Sequence, residues 1–360
     1  MQEKLVDILP GKDFWMIKQL PGDGIAVASS VVLARNINGF VYPPTQKREA
    51  LQAVRELICG SLRRSGILGR KREFFDLDNV TPVMRGVLRE RRFISSSLHT
   101  AGVCAAVLVN GEQDTAITVN DTEHIRMIFH SAGLQLKTLW RKANLLDSRL
   151  ASRFDFAFDP DLGYLSSSPD NSGTALKAEV VLHLPALEHS GALEQLFTAM
   201  LRMGIAVAGY EGEGCGRCGS MYVFSNLGTL GESEAEIITG LSSVVSKIIA
   251  QERNMRLEML KKEQMFLWDK VSRAYGMFRY CRLLHKEECL EELSWLRLGI
   301  DLGMFEHLDR EAVSLILLFA GNAHLALLNN SGKLLSAQQQ AAARADIVRD
   351  MVRHKLEAAI

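Results

Sequence analysis

Between Val103 and Asn226 the chain alternates two side-chain periods, and after Ser233 it keeps only one. Short β-rich runs (Val103–Asn110, Thr115–Val119, Ala178–Leu184, Ile205–Tyr210, Met221–Ser225) are separated by helix-like stretches such as Ala132–Ser152 and Leu193–Met203. Side chains return to one face every second residue in a strand and every third or fourth in a helix. Such a segment folds as a sheet whose strands are joined by covering helices, an α/β or α+β domain. From Ser233 the period is helical. Ser233 and Glu236 make a capping box, and Ile237, Leu241, Val244, Val245, Ile248 and Ile249 form one apolar stripe. Charges take over at Gln251–Lys262, as a helix extension or a linker, and Glu263–Leu356 reads as a separate helical bundle.

The first eighty residues read as mainly helical. Leu51, Val54, Leu57, Ile58 and Leu62 share one face of Lys47–Ile67, and Pro10, Pro21, Pro43 and Pro44 punctuate the segment. The most apolar segment, Ala312–Leu328, is interrupted by Ser314, Asn322 and His324 and falls short of the ~20 residues that span a bilayer. It is expected to be a buried helix. No apolar run follows the charged Met1–Asp7, so a cytoplasmic location without a membrane partner is the expectation.

The 42 basic and 42 acidic residues cancel, which argues against a dedicated nucleic-acid surface and against an acidic tail. Cysteines at 59, 104, 215, 218, 281 and 289 are too scattered for a disulfide scaffold. Cys215 and Cys218 have metal-ligand spacing, but no second pair completes a four-ligand zinc site, so no metal is expected. Gly212–Gly219 lacks the strand and helix context of a dinucleotide loop and reads as a mobile loop. Arg85 and Arg89–Arg92 form a local basic cluster, either a solvated helix face or part of a nucleotide site near Arg92.

Several segments, in order, resemble one family. They are Leu-Ala-Arg-Asn ending at Asn36, Asn-Asp-Thr-Glu-His-Ile-Arg at 120–126, Gly163–Thr174, His-Leu-Pro-Ala-Leu at 183–187, the Phe-Ser-Asn ending at Asn226, Gln-Glu-Arg at 251–253 and Leu296–Gly303. Together they resemble the ATP:guanidino phosphotransferases (phosphagen kinases), and among these the bacterial protein-arginine kinases. The resemblance implies an α+β fold: an antiparallel sheet flanked by helices, a small helical N-terminal part and a C-terminal helical domain. The expected divisions are 1–95, 96–255 and 256–360. It also implies MgATP as phosphoryl donor if the chain is active, a guanidinium acceptor and a homodimer. The implied partners are a small zinc-finger adaptor and the Clp protein-quality-control machinery. The chemistry needs arginine forks on the phosphates and carboxylates that orient and deprotonate the guanidinium.

Position by position, the chain departs from that pattern. Where the family has two phosphate-binding arginines, it has Ser30 and Val32. Thr122 stands at the catalytic carboxylate, and Glu123, one residue on, is expected on the opposite face. Ser168 replaces the family's cysteine, Lys177 a phosphate arginine, and Gly216 the second carboxylate; Ala208 stands where the protein-arginine kinases have arginine. Arg92, His124, Arg126 and Lys177 are the remaining candidates for a nucleotide site. In the C-terminal domain only Arg344 and Ala345 survive of the Arg-Asp-x-x-Arg-Ala motif that recognises phosphoarginine. The resulting expectation is a catalytically impaired relative with a regulatory role. The competing expectation is an active phosphotransferase using Glu123, Arg126, Arg92 and Lys177.

Overall fold

The computed structural model describes residues 14–18, 22, 24–210, 218–305, 308–329 and 333–357. In chain order the elements are β1 (Ala26–Arg35), α1 (Arg48–Ser65), β2 (Arg72–Asp76), α2 (Pro82–Glu90), α3 (Ser96–Ala101), β3 (Ala106–Asn110), β4 (Thr115–Val119), β5 (Ile125–Ala132) and α4 (Leu136–Ala151). A short hairpin, β6 (Phe158–Asp159) and β7 (Gly163–Tyr164), precedes β8 (Leu176–His183), α5 (Pro185–His189), α6 (Leu193–Arg202), β9 (Ile205–Gly209) and β10 (Met221–Asn226). The rest is helical: α7 (Glu234–Lys262), α8 (Gln264–Tyr280), α9 (Lys286–Asp301), α10 (Arg310–Phe319), α11 (Asn322–Leu328) and α12 (Ala337–Glu357).

Eight strands pair in the order β2-β3-β4-β5-β1-β8-β10-β9, every neighbouring pair antiparallel. On one face Val31, Leu33, Met127, Phe129, Ala178 and Val180 pack into the main core with Leu139 of α4 and Val245 of α7. Helix α7 starts where the sequence says it should: both halves of the Ser233–Glu236 capping box are formed. The alternation then dictates the other face. Ser30, Val32, Arg126, Ile128, His130, Lys177 and Glu179 fall on it, away from α4 and α7.

Two readings of the sequence are corrected. The first eighty residues are not mainly helical, because β1 and β2 lie within them and β1 is in the middle of the sheet. Ser29 is a polar residue on the side of β1 that carries Val31 and Leu33, and Val32 an apolar one on the cleft side, so the alternation that marks a half-exposed strand is blurred. The apolar stretch Ala312–Leu328 is two buried helices, α10 and α11, bent by 91°. The break is fixed at Gly321, where an added Cβ would meet the Glu90 carboxylate at 2.3 Å. Among the described residues no single helix is long and apolar enough to cross a membrane.

The C-terminal helices are bound to the sheet domain by buried polar groups. Glu252 accepts from the backbone of Ala186 (3.1 Å) and Leu187 (2.9 Å) and from Arg256 Nε (2.8 Å). Arg256 also reaches Asp301 Oδ2 (3.0 Å) and the His183 carbonyl (3.0 Å), while His183 Nε2 meets Ser294 Oγ at 2.8 Å. Burial first, then Arg256 and Arg297, hold the His183 pKa well below the ordinary histidine value, so its ring stays neutral. A second joint lies at the end of α2. Glu90 accepts from Ala323 N (2.9 Å), His324 N (3.0 Å) and His324 Nδ1 (2.6 Å), and Arg91 Nε donates to His324 Nε2 (3.2 Å).

Candidate functional site

The open face of the sheet floors a cleft of about 640 Å³ whose walls are α2 and the C-terminal helices α9, α10 and α11. The strand register sets what meets on that floor. Ser30 sits opposite His130 on β5 and Glu179 on β8; Val32 sits opposite Ile128 and Lys177. Ser30, Val32, Arg92, Arg126 and Lys177, distant in sequence, therefore line one cleft. Ala208 lines it from β9.

Most of its polar groups already have partners. Ser30 Oγ donates to Glu179 Oε2 at 3.2 Å, and Lys177 Nζ pairs with Glu179 Oε1 at 3.2 Å. Burial works against the Glu179 charge, but Lys177 and Arg92 outweigh it and hold its pKa below the usual carboxylate value. Arg126 pairs with Asp121, whose other oxygen accepts from Ser95 Oγ (2.7 Å) and Thr122 N (2.9 Å). Arg92 follows α2 with a φ of 61°. That left-handed conformation is uncommon outside glycine and asparagine. It lays the guanidinium 4.3 Å from the Tyr210 ring centroid while Nη2 donates to the Tyr210 carbonyl at 2.9 Å.

Other expected positions lie outside this cleft. Thr122 is exposed on the β4–β5 turn and Ser168 is half-buried; neither lines the cleft. Glu123, on the opposite side of the chain from Thr122, is buried and committed. It accepts from Asn36 Nδ2 (2.5 Å), Ser166 Oγ (2.5 Å) and Ser167 Oγ (2.8 Å), which pins the segment before Ser168 to the end of β1. His124 is buried: its Nδ1 accepts from Ile37 N (3.1 Å) and its Nε2 meets the Val41 carbonyl (3.1 Å). It braces the chain around β1 and does not reach the cleft. Arg344 is buried among C-terminal helices and donates to the carbonyls of Ala320 (3.0 Å) and Leu284 (2.8 Å) and to Asn322 Oδ1 (2.8 Å). Its fork is used internally. Gly216 and Cys215 lie outside the described residues, as does the Cys218 side chain. Among the described residues no three His, Cys, Asp or Glu side chains are arranged to hold a metal.

Sequence reasoning missed Glu179. The signal was available, because two residues beyond Lys177 on a strand is the same face. It missed Tyr210 and His130, which only the register and the course of the chain bring to Arg92.

The fold and the ordered motifs around this cleft define an ATP:guanido phosphotransferase relative. The pattern for the ATP:guanido phosphotransferase C-terminal catalytic domain matches residues 53–255, and the pattern for the protein-arginine kinase McsB C-terminal domain matches residues 264–359. The chain is 34% identical to a protein-arginine kinase of Halothermothrix orenii over 335 residues, 93% of this chain and 95% of that protein. It is 32% identical to one of Halalkalibacterium halodurans, covering 95% of each chain. Among solved structures, lombricine kinase superposes with a TM-score of 0.57 at 23% identity, over 71% of this chain and 72% of that one. The duplicated taurocyamine kinase from Schistosoma mansoni gives 0.59 at 21% identity, over 76% of this chain and 40% of that one. The chain belongs to the protein-arginine kinase family.

Proposed function

We propose that this chain is a catalytically impaired member of that family, a pseudokinase with a regulatory or binding role. The observation that carries the reading is the placement of Glu179. A carboxylate held in its charged form lies on the cleft floor and accepts from Ser30, the residue that stands where the resemblance calls for a phosphate-binding arginine. Triphosphate is repelled by such a group, and Lys177 is already paired to it. Thr122, exposed and unable to act as a carboxylate base, supports the same reading, as does Glu123, whose oxygens are committed to Ser166, Ser167 and Asn36.

The regulatory role proposed is in protein quality control, through a zinc-finger adaptor and Clp components, with the chain acting as a homodimer in the cytoplasm. Calorimetric titration of the full chain with MgATP tests the reading. No binding heat at millimolar MgATP is expected, and micromolar affinity contradicts it.

A second reading is favoured by one observation: Arg92, Arg126 and Lys177 line a single cleft together with Arg89 and Lys286. It is an active MgATP-dependent protein-arginine or guanidino phosphotransferase with a rewired site. In that reading Arg126→Ala abolishes transfer.

A further inference from the structure

Away from the cleft, the joint between the N-terminal segment and the C-terminal helices carries more positive than negative charge. Arg256 on α7, Arg297 on α9 and Arg310 at the start of α10 surround Asp301. Asp301 Oδ2 accepts from Arg256 Nη1 (3.0 Å) and Oδ1 from Arg310 Nε (2.7 Å), while Glu252 pairs with Arg256. Three guanidinium groups thus meet two carboxylates, and the His183 ring among them is neutral.

Arg297 is the group left over. It is 5% exposed, and its one hydrogen bond among the described residues runs from Nη2 to the Gly24 carbonyl (2.9 Å). Its Nε is buried without a partner. Burial lowers its pKa; Asp301 opposes that shift, and Arg256 and Arg310 add to it. A buried cation without a counter-ion is costly unless an anion completes it.

There is room for one. Arg297 lines a cavity of about 200 Å³, whose other polar side chains are Lys18, Gln135, Arg310 and Ser314. No carboxylate of the described residues lines it, and Val27, Leu134 and Ile249 give it apolar walls. The cavity is smaller than the ~300 Å³ at which pockets for drug-sized ligands begin. It shares only Met16 with the main cleft. Arg344 is held elsewhere, at the far end of α10 against Ala320.

We infer that this cavity is a binding site for a small oxyanion, a phosphate or a carboxylate, held by Arg297 with Arg310 and Lys18. A guanidinium fork accepts either group. The anion ties α9 and α10 to Gly22 and Gly24, whose carbonyls Arg310 and Arg297 already hold just ahead of β1.

The test is calorimetric titration of the full chain with inorganic phosphate and, separately, with acetate, at ionic strength matched with sodium chloride. One of the two is expected to bind the wild type with submillimolar affinity, and which one binds tells phosphate from carboxylate. Arg297→Gln should bind that anion at least tenfold more weakly. Its urea unfolding midpoint should also stop rising with the anion, as that of the wild type does; a merely structural arginine would not produce this. Lys18→Ala alters an exposed side chain and should bind at least threefold more weakly. If Arg297→Gln does not fold, Lys18→Ala binding as tightly as the wild type overturns the inference. No binding of either anion to the wild type overturns it too, as does equal binding by Arg297→Gln, which would place the anion in the main cleft. None of these outcomes depends on whether that cleft turns over MgATP.

Discussion

Ser30 on β1 donates to Glu179 on β8 across one rung of the sheet, 3.2 Å from hydroxyl to carboxylate, on the floor of the family's cleft. The pair commits a β1 hydroxyl to the Glu179 carboxylate on the cleft floor. Lys177 completes the arrangement from the same strand.

Neutralising that carboxylate should restore part of the affinity for phosphate. Glu179→Gln keeps the shape, removes the repulsion and releases Lys177. MgATP binding, expected to give no heat with the wild type, should become measurable for Glu179→Gln at millimolar concentration. Adding Ser30→Arg and Val32→Arg should raise it further, because each arginine fork can hold phosphate oxygens bidentately. Calorimetry on the single and triple variants checks both steps.

Arg344 is expected to behave as a structural residue. Its three partners, Ala320, Leu284 and Asn322, belong to different segments of the C-terminal domain. Arg344→Ala leaves buried acceptors unpaired and should cost about 2–4 kcal/mol in chemical denaturation. A loss below 1 kcal/mol accompanied by loss of phosphoarginine binding would instead make it a ligand residue.

Stability should fall with acid sooner than carboxylates alone would make it. Burial, then the nearby Arg92, push His130 down to about 4. The unfolded chain takes up that proton near pH 6.5, so the unfolded state binds more protons and the stabilisation present above pH 6.5 is lost as pH falls. From pH 7 to 5 His130 accounts for about 2 kcal/mol. His183, lowered by burial and then by Arg256 and Arg297, acts with the same sign. Glu90, held low by His324 against the cost of burial, adds its loss only below the ordinary glutamate range. Urea unfolding across this range should show the early decline, and His130→Gln should flatten it by about one proton.

Gly86 sets the distance between α2 and α11, since a Cβ there would meet the Ala323 Cβ at 2.7 Å. Gly86→Ala should destabilise by about 1–3 kcal/mol through overpacking, despite alanine's better helix propensity. Thermal unfolding checks the sign. A more stable variant would mean that the two helices separate without penalty.

How much of this was legible depended on sequence distance. The capping box of Ser233 and Glu236 is a local signal and formed as read. The separation of Thr122 from Glu123 followed from alternation, and the structure puts one outside and one inside. Strand β1 was hidden because polar Ser29 lies on its core side and apolar Val32 on its cleft side, which breaks the apolar alternation. The cleft needed the register: nothing local says that Ser30 faces Glu179, or that Trp15 lies against His130. The bend between α10 and α11 was hidden for the same reason, since it is fixed by Glu90, 231 positions before Gly321.

The most direct measurement is transfer of the γ-phosphoryl from labelled MgATP to free arginine and to an arginine-rich protein by the purified full chain. The account expects no labelled phosphoarginine above a no-protein control. Sustained turnover that Arg126→Ala or Lys177→Ala abolishes would contradict it.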